Sequence, residues 1–328
     1  MTVIGSYSIS HVNLQIECED EWLTEKIIDV IDNYLLTRDG STPNSHSIVL
    51  KFKNNDFSIK APKVAQELSS FSYLRVLKDG DFCYLVSGDS LFQIDLENSI
   101  GIGLLDSNFW ERPLKSKQGF LMLSLLWLLP QHGLYALHAN SLVRDGVGVF
   151  FSGSSGSGKS TLSLSLIRQG WRYLSDDVTL IRHCQDGIEA IAFQKGFSFD
   201  PNLVNHYPEL NHPLETPFFN GQKRFLDISL IYPDRFQSSC FPKVLISPKI
   251  VSQDRSRIIP IDRAEALILL IENSGGFMVD KGIVTKQMEV FKQLVYQTSS
   301  YQLLAGRDLY EEPERISEVL SDLKAYSS

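Results

Sequence analysis

The chain has 328 residues, 43% hydrophobic and 21% charged, the proportions of a folded globular protein and not of a disordered one. A formal net charge of −8 and an isoelectric point near 5.4 argue against nucleic acid or an anionic membrane as the main partner, since both require a basic face. The length accommodates two domains, or one large α/β unit with an appended module.

Residues 1–112 read as a mixed α/β module with no chemistry in it. Glu21 to Leu36 carries Leu23, Ile27, Ile31 and Leu35 at i, i+4 spacing, which predicts an amphipathic helix. Strands are expected at Ser47 to Phe52, Tyr73 to Leu77, Cys83 to Val86 and Leu91 to Leu96, each bounded by Gly, Asp, Asn or Ser. Gly101-Ile102-Gly103 is expected to be a turn. Cys18, Cys83, Cys184 and Cys240 lie far apart without CxxC spacing, which fits unpaired thiols in a reducing cytoplasm. The N-terminus lacks a charged segment followed by an apolar core, so no signal peptide is expected.

Lys115 to Leu129 predicts a strongly apolar core helix, placed with residues 113–328; its run Phe120 to Leu129 is too short to span a bilayer. Pro130 and Gly133 then lead into Leu134 to Leu142, where His138 sits among apolar residues. An isolated histidine there is ordinarily a core residue, but adjacent parallel strands would bring this one near the next motif.

That motif is Gly153-Ser154-Ser155-Gly156-Ser157-Gly158-Lys159-Ser160-Thr161, which fits GxxxxGK[ST], the phosphate-binding loop. Val147 to Phe151 before it reads as a buried parallel strand, and Ser160 to Gln169 after it as a helix closed by Gly170. Glycines at 153, 156 and 158 permit positive φ, turning backbone N–H groups inward toward an anion. Lys159 is expected on the β and γ phosphates of ATP and Ser160 on Mg²⁺, while Thr161 packs or caps. Farther on, Asp176 and Asp177 sit between two short apolar runs, Arg172 to Ser175 and Val178 to Ile181. Adjacent carboxylates are unfavourable inside a strand unless they stand at its end and are in use, so metal binding and proton transfer are their expected work.

The rest is less legible. Phe193 to Leu203 is expected to be a loop over the site; Lys223 and Arg224, after Asn220-Gly221-Gln222, are expected in a solvated loop, with contact to a phosphate or an acidic substrate as the alternative. Lys243 to Ile250 reads as a strand, Asp262 with Glu265 as the start of a helix through Glu272, and Pro313 as the start of a last helix burying Ile316, Val319, Leu320 and Leu323.

Leu137-His138-Ala139, Gly158-Lys159-Ser160, Gly170-Trp171-Arg172-Tyr173-Leu174 and Ser175-Asp176-Asp177, in that order, resemble the catalytic domain of the HPr kinase/phosphorylase family. Within it the chain looks most like the HPr-kinase-related serine kinases, the lasso-peptide kinases among them. Two positions depart from the pattern: the family has Glu where Thr161 stands and Gly where Ala139 stands. The resemblance implies an α/β P-loop kinase domain of the phosphoenolpyruvate carboxykinase type behind the N-terminal module. It also implies Asp176 as catalytic base, Asp177 as support for the metal and His138 lining the site.

The expected activity is transfer of the ATP γ-phosphoryl group, with Mg²⁺, to a hydroxyl, above all a serine of a peptide or protein. A small-molecule hydroxyl, a nucleotide-gated P-loop ATPase and a carboxykinase-like enzyme are the alternatives, and self-association is left open. No guanine-specifying NKxD run is present, which counts against a GTPase switch.

Overall fold

The computed structural model describes residues 2–31, 37–38, 48–55, 59–71, 74–112, 114–193, 196–211, 216–218, 223–274, 281–321 and 323. They fall into two compact units, Met1–Leu134 with Pro217–Gly221, and Tyr135–Thr216 with Gln222–Ser328. Asn220, Gly221 and Gln222 lie outside the described residues, as do Ser47, Tyr73 and the expected helix end at 32–36.

The first unit contains strands β1 (Thr2–Ile9) and β2 (Val12–Cys18), helix α1 (Glu21–Ile31), strands β3 (Thr37–Arg38), β4 (Ile48–Asn54), β5 (Gln66–Phe71), β6 (Leu74–Asp79), β7 (Phe82–Ser87), β8 (Ser90–Asp95) and β9 (Ile100–Leu105), and helix α2 (Leu114–Leu128). The strands form one sheet in the order β3-β1-β2-β4-β9-β8-β7-β6-β5, with β4 parallel to β2 and to β9. Helix α1 buries Leu23, Ile27, Val30 and Ile31, the face its spacing predicted.

Two expectations change here. Gly101 and Gly103 are not a turn; they lie inside β9, where an added Cβ at Gly101 would stand 2.5 Å from the Phe92 ring and one at Gly103 2.8 Å from the Phe52 ring. The glycines make room for large rings in the core. Helix α2, expected with the catalytic half, belongs to the first unit, because its contacts run to α1 and to β7, β8 and β9.

The second unit holds β10 (Tyr135–Leu137), β11 (Ala139–Arg144), β12 (Val147–Ser152), α3 (Lys159–Arg168), β13 (Arg172–Ser175), β14 (Thr179–Cys184), β15 (Gly187–Ile191) and β16 (Gly196–Phe199). After β17 (Thr216–Phe218), which straddles the division in the chain, come β18 (Lys223–Asp227), β19 (Ser239–Cys240), β20 (Pro242–Ile250) and β21 (Arg257–Pro260). Helices α4 (Arg263–Ser274) and α5 (Lys281–Gln297), strand β22 (Ser299–Ala305), and helices α6 (Arg307–Glu311) and α7 (Ile316–Ser321) complete it. One sheet has the order β13-β11-β12-β20-β22-β21, with β12, β20 and β22 parallel; a second, antiparallel sheet has the order β10-β14-β15-β19.

Strand β12 is therefore mixed in its pairing. It is parallel to β20 but antiparallel to β11, through a tight hairpin in which Asp145 and Gly146 have φ of +51° and +79°. Asp-Gly is the preferred pair for such a turn. His138 reaches the phosphate loop through this hairpin, which sets Ala139 opposite Ser152, and not through parallel neighbours as expected.

Helix α3 is held by burial of Leu162, Leu164, Leu166 and Ile167, each contributing about 1.5–3 kcal/mol. They join a core with Leu142, Val149, Phe151, Trp171 and Tyr173. Gly170 ends the helix at φ +102°, a conformation that favours glycine.

Candidate active site

Two paired segments change sheets side by side, and the site forms at that crossing. The chain passes from β10 to β11 at His138, and from β13 to β14 through Asp176, Asp177 and Val178. Leu137 lies opposite Thr179 in one sheet, and Ser141 opposite Ser175 in the other. Between these pairs the ladder is interrupted, so polar side chains occupy the gap. The phosphate loop leaves β12 beside it.

Gly156 and Gly158 have φ of +82° and +92°, and among the described residues nothing lies within 4 Å of where their Cβ atoms would be. Gly153 differs from its expectation: it lacks a positive φ, and an added Cβ would stand 2.9 Å from Ser157 Oγ. Its role is close approach. Ser157 Oγ is buried in the loop with no hydrogen-bond partner among the described residues. The open space at Gly156 and Gly158, the orphaned Ser157 hydroxyl and the N–H groups of the first turn of α3 form a donor set suited to a phosphate.

Lys159 is 7% exposed, and its Nζ donates to the carbonyls of Gly153 (2.5 Å) and Ser154 (3.1 Å). Burial lowers its basicity; Asp177 and Asp176 oppose that effect, and Lys223 adds to it. The charge of Lys223 reaches Asp176 as well. Lys223 and Arg224, expected in a solvated loop, are half-buried on β18, paired with β16.

Asp176 is 1% exposed. Its Oδ2 accepts hydrogen bonds from the Ser198 amide and hydroxyl, both at 2.9 Å, and its Oδ1 accepts one from Ser160 Oγ at 3.3 Å. Burial, reinforced by Asp177, raises its carboxyl above the ordinary value, and the Ser198 bonds and Lys223 pull it back. Asp177 is the open member of the pair, with a side chain 48% exposed. Its Oδ1 lies 2.9 Å from His138 Nε2, and its amide donates to Asn140 Oδ1 at 3.2 Å. His138 is oriented from the other side, because its Nδ1 donates to the Asn273 carbonyl at 3.1 Å, at the end of α4.

Sequence reasoning missed Ser198. The stretch expected to be a loop contains β16, where Phe197 and Phe199 bury their rings in the core and Ser198 meets Asp176. The apolar, polar, apolar alternation of Phe197-Ser198-Phe199 was the available signal. Asn140 was missed too; a buried amide within the apolar run Leu137 to Val143 is the kind of residue that needs a reason.

Among the described residues no cluster of three His, Cys, Asp or Glu side chains is arranged to hold a metal. Magnesium does not need one, since it is commonly held by one or two carboxylates together with substrate phosphates. Asp176 Oδ1, with Ser160 Oγ 3.3 Å away, would supply one carboxylate and one hydroxyl to such an ion.

No family model matches the chain. An HPr kinase/phosphorylase of Exiguobacterium sibiricum is 45% identical over 75 residues, 23% of this chain and 22% of that protein. One from Chlorobium luteolum is 27% identical over 132 residues, 39% of this chain and 36% of the relative, and one from Brevibacillus brevis 32% identical over 111 residues, 32% and 33%. Over part of its length the chain is similar to HPr kinase/phosphorylases. These matches span between a fifth and two fifths of this chain, and 22 to 36% of the curated relatives' own length. Among solved structures, the HPr(Ser) kinase/phosphatase of Coxiella burnetii matches with a TM-score of 0.29 and 18% identity, covering 57% of this chain and 97% of that one. No helix among the described residues is long and apolar enough to cross a membrane.

Proposed function

We propose that this chain is an ATP- and Mg²⁺-dependent kinase that transfers the γ-phosphoryl group to a hydroxyl, with a serine of a peptide or protein as the acceptor. The second unit is the catalytic domain, of the HPr kinase and phosphoenolpyruvate carboxykinase type, and the first is an appended module; the reaction takes place in the cytoplasm. The observation that carries this reading is the meeting of the loop and the acidic pair: Ser160 Oγ is 3.3 Å from Asp176 Oδ1, and Asp177 stands next in the chain on His138. When bound, magnesium ATP supplies the electrophilic γ-phosphorus, with the ion offsetting the phosphates' charge.

The loop amides, Ser157 and Lys159 hold the phosphates. Ser160 and Asp176 hold the ion's side of the site, with Ser198 keeping the Asp176 carboxylate turned toward Ser160. Asp177 takes the proton from the incoming hydroxyl as the new O–P bond forms and the bond to the leaving ADP oxygen breaks. His138 orients Asp177 and supports the proton once it arrives. This exchanges the roles that the family resemblance implied for the two aspartates. The reason is access: Asp176 is buried with both oxygens engaged, whereas Asp177 is half-exposed.

The test is phosphoryl transfer from labelled ATP to serine-containing peptides. Lys159→Ala is expected to lose ATP binding, and Asp177→Asn to keep binding while transfer falls about 10²–10⁴-fold, the usual share of a general base. Transfer by Asp177→Asn at the wild-type rate would remove the base assignment. Label that goes only to water, whatever hydroxyl is offered, would replace the kinase by an ATPase.

A further inference from the structure

We infer that Asn140 is a positioning residue, which locks Asp177 into a strained turn so that its carboxylate stays on His138, and which ties that turn to the helix behind the phosphate loop. The inference rests on the kinase reading above. Asp177 has a φ of +65°, a region that residues with side chains enter at a cost. The Val178 amide donates to the Asp176 carbonyl at 2.7 Å and closes a three-residue turn around it. With positive φ at its centre, this is the rarer and strained kind of γ-turn. Such a conformation persists only where its surroundings over-determine it.

Asn140 supplies that constraint. Its Oδ1 accepts from the Asp177 amide at 3.2 Å, and its Nδ2 donates to Ser163 Oγ at 3.2 Å. The two contacts fix the amide's orientation, because the reverse one would set two donors against each other. Asn140 and Ser163 are each 1% exposed, so water does not replace either bond. Asn140 also lies two residues beyond His138, and both reach Asp177. One segment thus grips Asp177 by its carboxylate and by its backbone. Ser163 is one helical turn past Lys159 on α3, so the anion-holding end of the helix and the proton acceptor share a short rigid link.

Asn140→Leu keeps the bulk and removes both hydrogen bonds. With labelled ATP and a serine peptide, kcat is expected to fall about 10²-fold while the ATP Kd stays within about twofold. A crystal structure of the variant is expected to show Asp177 out of the positive-φ region and its carboxylate off His138. An unchanged kcat, an ATP Kd that weakens in step with kcat/KM, or an Asp177 that keeps both φ and the His138 contact would each overturn the inference. Should Asn140→Leu not fold, Ser163→Ala decides: a fall in kcat of about tenfold at unchanged ATP affinity supports the link, and wild-type kcat refutes it. A wild-type protein that transfers no phosphate counts against the kinase reading alone, and the crystallographic comparison then judges Asn140 by itself.

Discussion

Replacing Ser198 by alanine removes one of the two hydrogen bonds that Asp176 Oδ2 accepts, and leaves the backbone one at 2.9 Å. Asp176 is 1% exposed, so no solvent fills the gap. A hydrogen bond to a buried charge is worth about 1.5–3 kcal/mol, and that is the expected loss of stability where the carboxyl is ionised. The loss depends on pH in a definite direction. Burial, with Asp177, already raises the Asp176 carboxyl above 3.8, and the Ser198 bonds oppose the rise. A group raised in the fold contributes its stability fully below the unfolded value, and the contribution is lost as pH rises through the folded value.

Without the hydroxyl the folded value climbs further. Ser198→Ala should therefore match the wild type closely in acid, where Asp176 is protonated in both, and fall away from it as pH rises toward neutrality. Hydrogen exchange of the β13 and α3 amides between about pH 4 and pH 8 reads the second unit alone, once intrinsic exchange rates are divided out. A stability difference that stays constant over that range would refute the claim that this hydroxyl serves the ionised Asp176. So would no difference at all.

Gly103→Ala should destabilise the first unit by about 1–3 kcal/mol in chemical unfolding, since the new Cβ would stand 2.8 Å from the Phe52 ring and 3.1 Å from Phe92, both locked in the core. Thiol titration of the native protein at neutral pH should find Cys184 reactive. Burial pushes Cys18 and Cys240 up to about 12 and covers Cys83, so rapid reaction of those three in the folded state would contradict the packing. Burial raises the Asp308 carboxyl, but the Ser256 hydroxyl and amide, the Leu309 amide and Arg315 outweigh it and hold it below 3.8. Its contribution is present above the unfolded value and lost as pH falls through the folded one, so Asp308→Ala should cost about 1–3 kcal/mol near neutrality and progressively less in acid. Equal costs at both ends would refute it.

What the sequence determined by itself was local. Gly153 to Ser160 carries its own backbone requirements, and a strand before it with a helix after it is enough to form an anion cradle. Periodicity likewise placed α1, and the apolar runs placed β12 and β20, because burial repeats at short range. The tertiary structure decided everything that arrives from far along the chain. Ser198 reaches Asp176 across 22 residues and the Asn273 carbonyl reaches His138 across 135, and neither spacing leaves a periodic trace. The unequal surroundings of the acidic pair are of this kind too. Asp176 and Asp177 are chemically identical, and only the crossing between two sheets buries one on Ser160 and leaves the other half-open on His138. Burial and partner, not residue type, set the two carboxylates apart.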